Sequence, residues 1–199
     1  MVTKLVEETT LVDMKRRRFT VAELLRLAEI GFLGNDERVE LIRGEIVEMS
    51  PISQGHASSV MRLTSLLSRE FGRQAILNVQ NPLQLDDETL PQPDVALLRQ
   101  RDDFYSQRHP GPEDILLLIE VADSTLPYDR RVKAALYGTA GVMEYWIINL
   151  PKRLIEVYRE PQVEGYRTMT RYAPGEMLSP LAFPDITFDV DAILGPQLE

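Results

Sequence analysis

The chain contains no cysteine, so disulfide scaffolds, cysteine-ligated zinc modules and thiol enzymes are excluded from its 199 residues. Lysine is scarce: Lys4, Lys15, Lys133 and Lys152 are the only ones, and arginine supplies the rest of the positive charge. Histidine is limited to His56 and His109, a pair with no spacing suited to a histidine-ligated metal. Long apolar runs are missing as well. The longest covers residues 115–119, too short to span a membrane, and no charged-apolar-small signal opens the chain, so a cytoplasmic protein with no membrane partner is expected. No internal period marks a repeat array. Basic residues are outnumbered, 22 Lys and Arg against 31 Asp and Glu, for a net charge of -9. Such a balance disfavours unguided adhesion to nucleic acid, and any surface that meets it must be local.

What remains suits one folded domain, with 44% hydrophobic residues in a chain long enough to bury roughly 70% of its unfolded surface. Residues 1–18, ending in Lys15-Arg16-Arg17-Arg18, lack periodicity and read as a mobile leader; residues 19–194 read as the domain and 195–199 as a tail. Thr20 and Glu23 have the spacing of a capping box, with Phe19 and Leu24 placed for a hydrophobic staple, and a helix of about three turns follows. Alternating runs on either side of Arg43-Gly44 predict a hairpin that carries Glu40 in mid-strand. Apolar residues at spacings of three and four predict a long amphipathic helix over 53–71, closed by Gly72.

Strands are expected over 76–80, 83–85 and 94–98, the last two divided by the turn residues Asp86-Asp87-Glu88, and a polar loop over 99–112. The continuous apolar run 115–121 has the pattern of a central strand buried on both faces, apart from one carboxylate, Glu120. A helix over 127–140, a buried strand over 144–149 and an antiparallel pair over 154–159 and 166–172 complete an α/β domain with a mixed sheet. Tyr145-Trp146 falls in the buried strand and reads as core rather than as a base-stacking platform.

An unpaired carboxylate at Glu120 would cost several kcal/mol of desolvation unless it met a cation or shifted its pKa. Pro93-Asp94 places a second carboxylate at the entrance of a strand that could pair with 115–121 and set Asp94 beside Glu120. Neighbouring carboxylates repel unless a divalent ion lies between them, and Mg²⁺ is held by one or two carboxylates plus water. Lys133 lies one helix after Glu120; beside such an ion an ammonium can orient a water, take its proton or steady charge on a phosphate. Those elements describe phosphodiester hydrolysis.

The order Pro93-Asp94, Glu120, then a lysine resembles the PD-(D/E)XK nuclease superfamily. Within it, the chain is similar to the Uma-two family of restriction endonuclease-like proteins over about 20–194. The resemblance is carried by residues 40–45 (Glu-Leu-Ile-Arg-Gly-Glu), Ser50-Pro51 with His56, Gln92-Pro93-Asp94, Glu120-Val121 with Ser124, Tyr128-Asp129-Arg130 with Lys133 and Tyr137, and Gly141-Val142 with Glu144-Tyr145-Trp146. It implies a restriction endonuclease-like core, a mixed β-sheet flanked by helices, preceded by the N-terminal helix and hairpin. It also implies Asp94 and Glu120 as ligands of Mg²⁺ or Mn²⁺, Glu40 as a further acidic site residue, and a nucleic acid, DNA first, as substrate. In the superfamily pattern the lysine stands two residues after the acid, a position held here by Ala122, so the resemblance makes Lys133 the substitute.

Each residue has an ordinary reading beside the functional one. Asp129 and Lys133, four apart with the acid first, could form a surface ion pair; Asp94 could cap a turn; Glu120 could pair with an arginine; Glu40 could face solvent from its hairpin. His56 begins the long helix, either as plain structure or as a phosphate contact, and Arg130-Arg131 is the basic group expected nearest the site. Two rival functions stand beside the nuclease: a nuclease-fold binding module without turnover, and a two-carboxylate glycosidase, which would need neither lysine nor metal. Duplex cutting takes two strand breaks, so a symmetric homodimer is expected.

Overall fold

Thr20 opens the first helix as the sequence predicts: its hydroxyl accepts the Glu23 N–H at 3.2 Å, and the Glu23 carboxylate returns to the Thr20 N–H at 3.0 Å. The computed structural model describes residues 16–34 and 37–196. Most of the expected leader and residues 197–199 of the expected tail lie outside them. Helix α1 (Val21–Glu29) is followed by β1 (Val39–Ile42) and β2 (Glu45–Glu48), an antiparallel hairpin whose turn residues Arg43 and Gly44 both have positive φ, as a two-residue primed turn requires.

The hairpin's alternation gives each face a different neighbour. Val39, Leu41 and Ile46 pack with Val21 and Leu24 of α1, whereas Ile42 and Val47 pack toward the main sheet. Glu40, in step with Ile42, therefore turns toward the sheet.

Helix α2 (Gln54–Phe71) lies over one face of a six-stranded sheet made of β3 (Ile76–Val79), β4 (Val95–Leu98), β5 (Ile115–Ala122), β6 (Glu144–Asn149), β7 (Leu154–Gln162) and β8 (Gly165–Tyr172), in that spatial order. All neighbours are antiparallel except β5 and β6. Their parallel pairing requires a crossover, supplied by a helical segment, α3, made of an α-turn (Leu126–Tyr128), a π-helical turn (Asp129–Lys133) and an α-helix (Ala134–Thr139).

Leu117, Ile119, Val121, Trp146 and Ile148 face α2, while Leu118, Ala122, Tyr145 and Ile147 face α3. Tyr145 and Trp146 are both fully buried, on opposite faces, as core residues. The sheet is thus apolar on both sides, which is why residues 115–121 read as a continuous run.

Two expectations need correction. Residues 83–85 form no strand: Leu83 and Leu85 make single ladder-like bonds to Pro91 and Thr89, and Pro82, Pro91 and Pro93 deprive the segment of donors for a regular ladder. The strand expected from residue 94 begins at Val95, so Asp94 stands just before it. Beyond the predicted elements, β9 (Met177–Leu178), β10 (Phe188–Asp189) and α4 (Val190–Leu194) close over the α2 face, contributing Leu178, Phe188 and Ile193 to its core. No helix among the described residues is long and apolar enough to cross a membrane.

Candidate active site

The antiparallel register Val95↔Ile119 carries one step further to set Asp94 opposite Glu120. The Asp94 N–H donates to Glu120 Oε2 at 3.3 Å, and the Val121 N–H donates to Asp94 Oδ2 at 2.9 Å. Side chains thereby continue a ladder that backbone pairing began. Glu120 shares its face with Leu118 and Ala122, so its carboxylate enters the α3 side of the sheet rather than the α2 side.

Lys133 reaches Glu120 from α3, with Nζ 2.7 Å from Oε1. The same ammonium lies 3.1 Å from Glu40 Oε1, and Glu40 also accepts the Gln92 N–H at 2.8 Å. The i,i+4 surface pair with Asp129 does not form: Lys133 is buried, and Asp129 instead accepts the Thr125 hydroxyl at 2.7 Å. The π-turn, marked by the Ala134 N–H bonding Asp129 O, winds residues 129–133 out of ordinary α register. The lysine is therefore brought over Glu120.

Asp94 is held from the other side by His56 Nε2, 2.9 Å from Oδ2, and by Gln80 Nε2, 3.1 Å from Oδ1. His56 is placed by the first turn of α2, where the Ser53 hydroxyl accepts its backbone N–H at 3.2 Å. Tyr137 completes the surroundings of Glu120 by donating to Oε1 at 2.9 Å.

Charge in this cluster is unbalanced. Burial raises the Glu120 pKa well above the ordinary carboxylate range; Lys133 opposes the rise, while Asp94, Asp129 and Glu40 add to it. Burial also raises Asp129, against Lys133 and the Thr125 hydrogen bond. For Asp94 burial is outweighed by His56, the Val121 N–H and Gln80, and its pKa falls. Burial disfavours the Lys133 ammonium too, yet Glu120, Glu40 and Asp129 outweigh it and hold that ammonium charged above the usual lysine range. One lysine among four carboxylates keeps its proton.

These groups line a cleft of about 400 Å³ between the hairpin, the N-terminus of α2 and the β5–α3 junction. Glu40, Asp94, Glu120, Lys133 and His56, scattered through the sequence, meet there. Arg130 and Arg131 do not line it: Arg130 Nε bonds the buried Glu156 of β7 at 2.8 Å, and Arg131 is exposed elsewhere. The arginine at the cleft is Arg38, two residues before Glu40 and so on the same face of the hairpin, a strand-parity signal present in the sequence. The Tyr128 hydroxyl, on the cleft wall, is buried with no hydrogen-bond partner among the described residues. Gln80, read in the sequence only as the end of a strand, holds Asp94 as a residue sequence reasoning missed, because a lone amide carries no pattern.

Oxygen donors from Asp94 and Glu120, in a cluster with excess negative charge, fit a hard divalent cation. Among the described residues no three acidic or histidine side chains are gathered as a ready-made ligand set, so water and substrate would complete the coordination, as is usual for Mg²⁺.

A family model described as "Putative restriction endonuclease", Uma2, matches residues 21–191, and the chain belongs to that family. A crystal structure described as a "putative nuclease belonging to DUF820" from Anabaena variabilis is similar in fold, with a TM-score of 0.66 at 14% identity, covering 88% of this chain and 97% of the other. No curated protein matches the chain at a significant level. The restriction endonuclease-like core, a mixed sheet flanked by helices, is therefore the fold of this protein.

Proposed function

We propose that this member of the Uma2 family is a metal-dependent endonuclease that hydrolyses phosphodiester bonds, with DNA as the first substrate to test. The observation that carries the reading is the convergence of Asp94, Glu120 and Lys133 at the paired ends of β4 and β5. Asp94 and Glu120 would hold Mg²⁺ or Mn²⁺. A bound divalent ion supplies Lewis-acid polarisation of a phosphate oxygen and lowers the pKa of water.

The protein's own groups do the rest. Lys133 Nζ, lodged between Glu120 and Glu40, is assigned two of the roles open to an amine: orienting the attacking water and steadying charge on the phosphate. Asp129, on the cleft wall and held by the Thr125 hydroxyl, is assigned to receive a proton. Glu40 fixes Lys133 from the hairpin, His56 and Gln80 fix Asp94, and Arg38 is assigned to phosphate contact at the rim. A glycosidase would have no use for the ammonium lodged against Glu120.

One observation favours a second reading. Both oxygens of Asp94 and both of Glu120 already accept hydrogen bonds from protein groups, an arrangement that a binding module without turnover would also need. Cutting of single-stranded, duplex and branched DNA and of RNA separates the two, with Mg²⁺ or Mn²⁺ against chelator and native protein against Asp94→Asn. The nuclease cuts only with metal and only with Asp94 intact; no cutting of any substrate leaves the module. For duplex cutting we propose a symmetric pair of copies, which sedimentation on duplex DNA would reveal.

A further inference from the structure

The acidic cleft leaves open how a chain of net charge -9 meets a polyanion. Arg130 and Arg131 are turned elsewhere, and most arginines among the described residues are spent on carboxylates, including Arg108 on Asp114 and Arg159 on Glu144. Arg62 and Arg153 are different. They line a separate pocket of about 340 Å³, together with Gly55 and Ser58 from the first turns of α2. Each makes one bond to a backbone carbonyl: Arg62 Nη1 to Leu194 O at 3.2 Å, and Arg153 Nη2 to Gly195 O at 2.9 Å. Neither forms an ion pair with any described residue.

Gly195 brings the two guanidinium groups together. Its carbonyl holds Arg153, its φ of +70° suits glycine, and a Cβ there would run into the Arg62 guanidinium. A guanidinium carries five N–H donors, so each arginine retains unspent donors beside the pocket. Among the described residues the pocket contains one carboxylate, Asp123, which accepts the Ser53 hydroxyl at 2.8 Å and lines the acidic cleft as well. Two guanidinium charges thus face one carboxylate in a hollow that adjoins the candidate active site around the N-terminus of α2.

We propose that the Arg62–Arg153 pocket is a phosphate subsite, holding a backbone phosphate of the nucleic-acid strand that is cut at Asp94 and Glu120. It rests on the nuclease reading and names where that reading gets its hold on the substrate. Forked donors from two arginines match phosphate oxygens, and a contact of this kind positions the strand without reading its sequence. The strand then runs past Asp123 rather than over Arg130 and Arg131.

The test is binding of an end-labelled oligonucleotide, single-stranded and duplex, by fluorescence anisotropy across a salt series. Glu120→Gln protein with Mg²⁺ is compared with and without Arg62→Gln/Arg153→Gln. A second background, Ser58→Asp, leaves both arginines and their carbonyl bonds in place while adding a carboxylate to the pocket. Cutting by the unsubstituted protein is measured on the same strands. Weakening of about tenfold or more in both backgrounds, with a salt slope shallower by roughly one in the double variant for the one phosphate released, is expected. Inorganic phosphate at equal ionic strength should compete with the strand only where the pocket is intact. Unchanged affinity and salt slope in both backgrounds overturn the subsite. Failure of the nuclease reading looks different: the unsubstituted protein then cuts none of the strands, whatever the arginine variants do.

Discussion

Lys133 Nζ lies 2.7 Å from Glu120 Oε1 although the two residues belong to different elements, one on the π-turn of α3 and the other at the end of β5. Both are buried, and the crossover connection between two parallel strands is what brings them together. Replacing Lys133 by Met would leave Glu120 and Glu40 without their shared cation, a loss of about 3–5 kcal/mol. Combining it with Glu120→Gln should recover part of that loss, because one uncompensated charge disappears. Chemical denaturation of the two single variants and the double reads the coupling, and strict additivity would mean the pair does not interact.

The seating of α3 itself is open to test. Gly138 packs so closely on β8 that a Cβ there would run into the Gly165 carbonyl. Gly138→Ala should cost about 1–3 kcal/mol by overpacking and move Lys133 off Glu120. A melting temperature equal to that of the native protein would show that the helix can shift at no cost.

Tyr128 offers the opposite combination. Its hydroxyl is buried in the cleft wall with no partner among the described residues, so Tyr128→Phe should leave stability the same or slightly higher. If that hydroxyl donates to the substrate phosphate, cutting should fall on the order of a hundredfold. Melting curves and cleavage rates on one preparation check both halves.

The acid limb of stability should depend on Glu156. Burial opposes its ionised form, but Arg130, Asn149 and Tyr158 donate to the carboxylate and hold its pKa below the ordinary value of 4.5. A carboxyl group with a lowered native pKa stabilises the fold above its unfolded pKa, and that contribution is lost as pH falls through the native one. Glu156→Gln should therefore cost about 1.5–3 kcal/mol near neutrality, and the gap to the native protein should close below the ordinary value. A gap that stays constant to low pH would place the stabilisation elsewhere.

Much of this arrangement was legible because strand and helix periodicity is local. The capping box at Thr20, the hairpin turn at Arg43-Gly44, α2 and the core strands β5 and β6 follow from spacing and turn chemistry. Asp94 and Glu120 stood out as carboxylates at the ends of apolar runs, and their pairing followed once β4 was laid antiparallel to β5. The π-turn did not show, since one extra residue in a helical turn leaves no compositional trace, although Lys133 was placed with Glu120 and Glu40 without it. The direction of Arg130 was hidden for the same reason. Its partner Glu156 lies on a strand 26 residues later, and local charge density could not reveal that it was already committed. The small C-terminal elements over 177–194 are too short for periodicity to mark them.

The most direct test of the central claim is the cutting rate with Mg²⁺ of native protein, Asp94→Asn, Lys133→Met and Lys133→Arg, purified in parallel and checked for folding. If an acidic pair and an ammonium borrowed from the crossover helix form one catalytic site, the native protein cuts and all three variants fall by at least about a hundredfold. Lys133→Arg is included because a planar fork cannot replace a compact ammonium between two carboxylates. Cutting that vanishes in Asp94→Asn but survives in folded Lys133→Met would contradict the role assigned to Lys133, and cutting that survives in both would contradict the site.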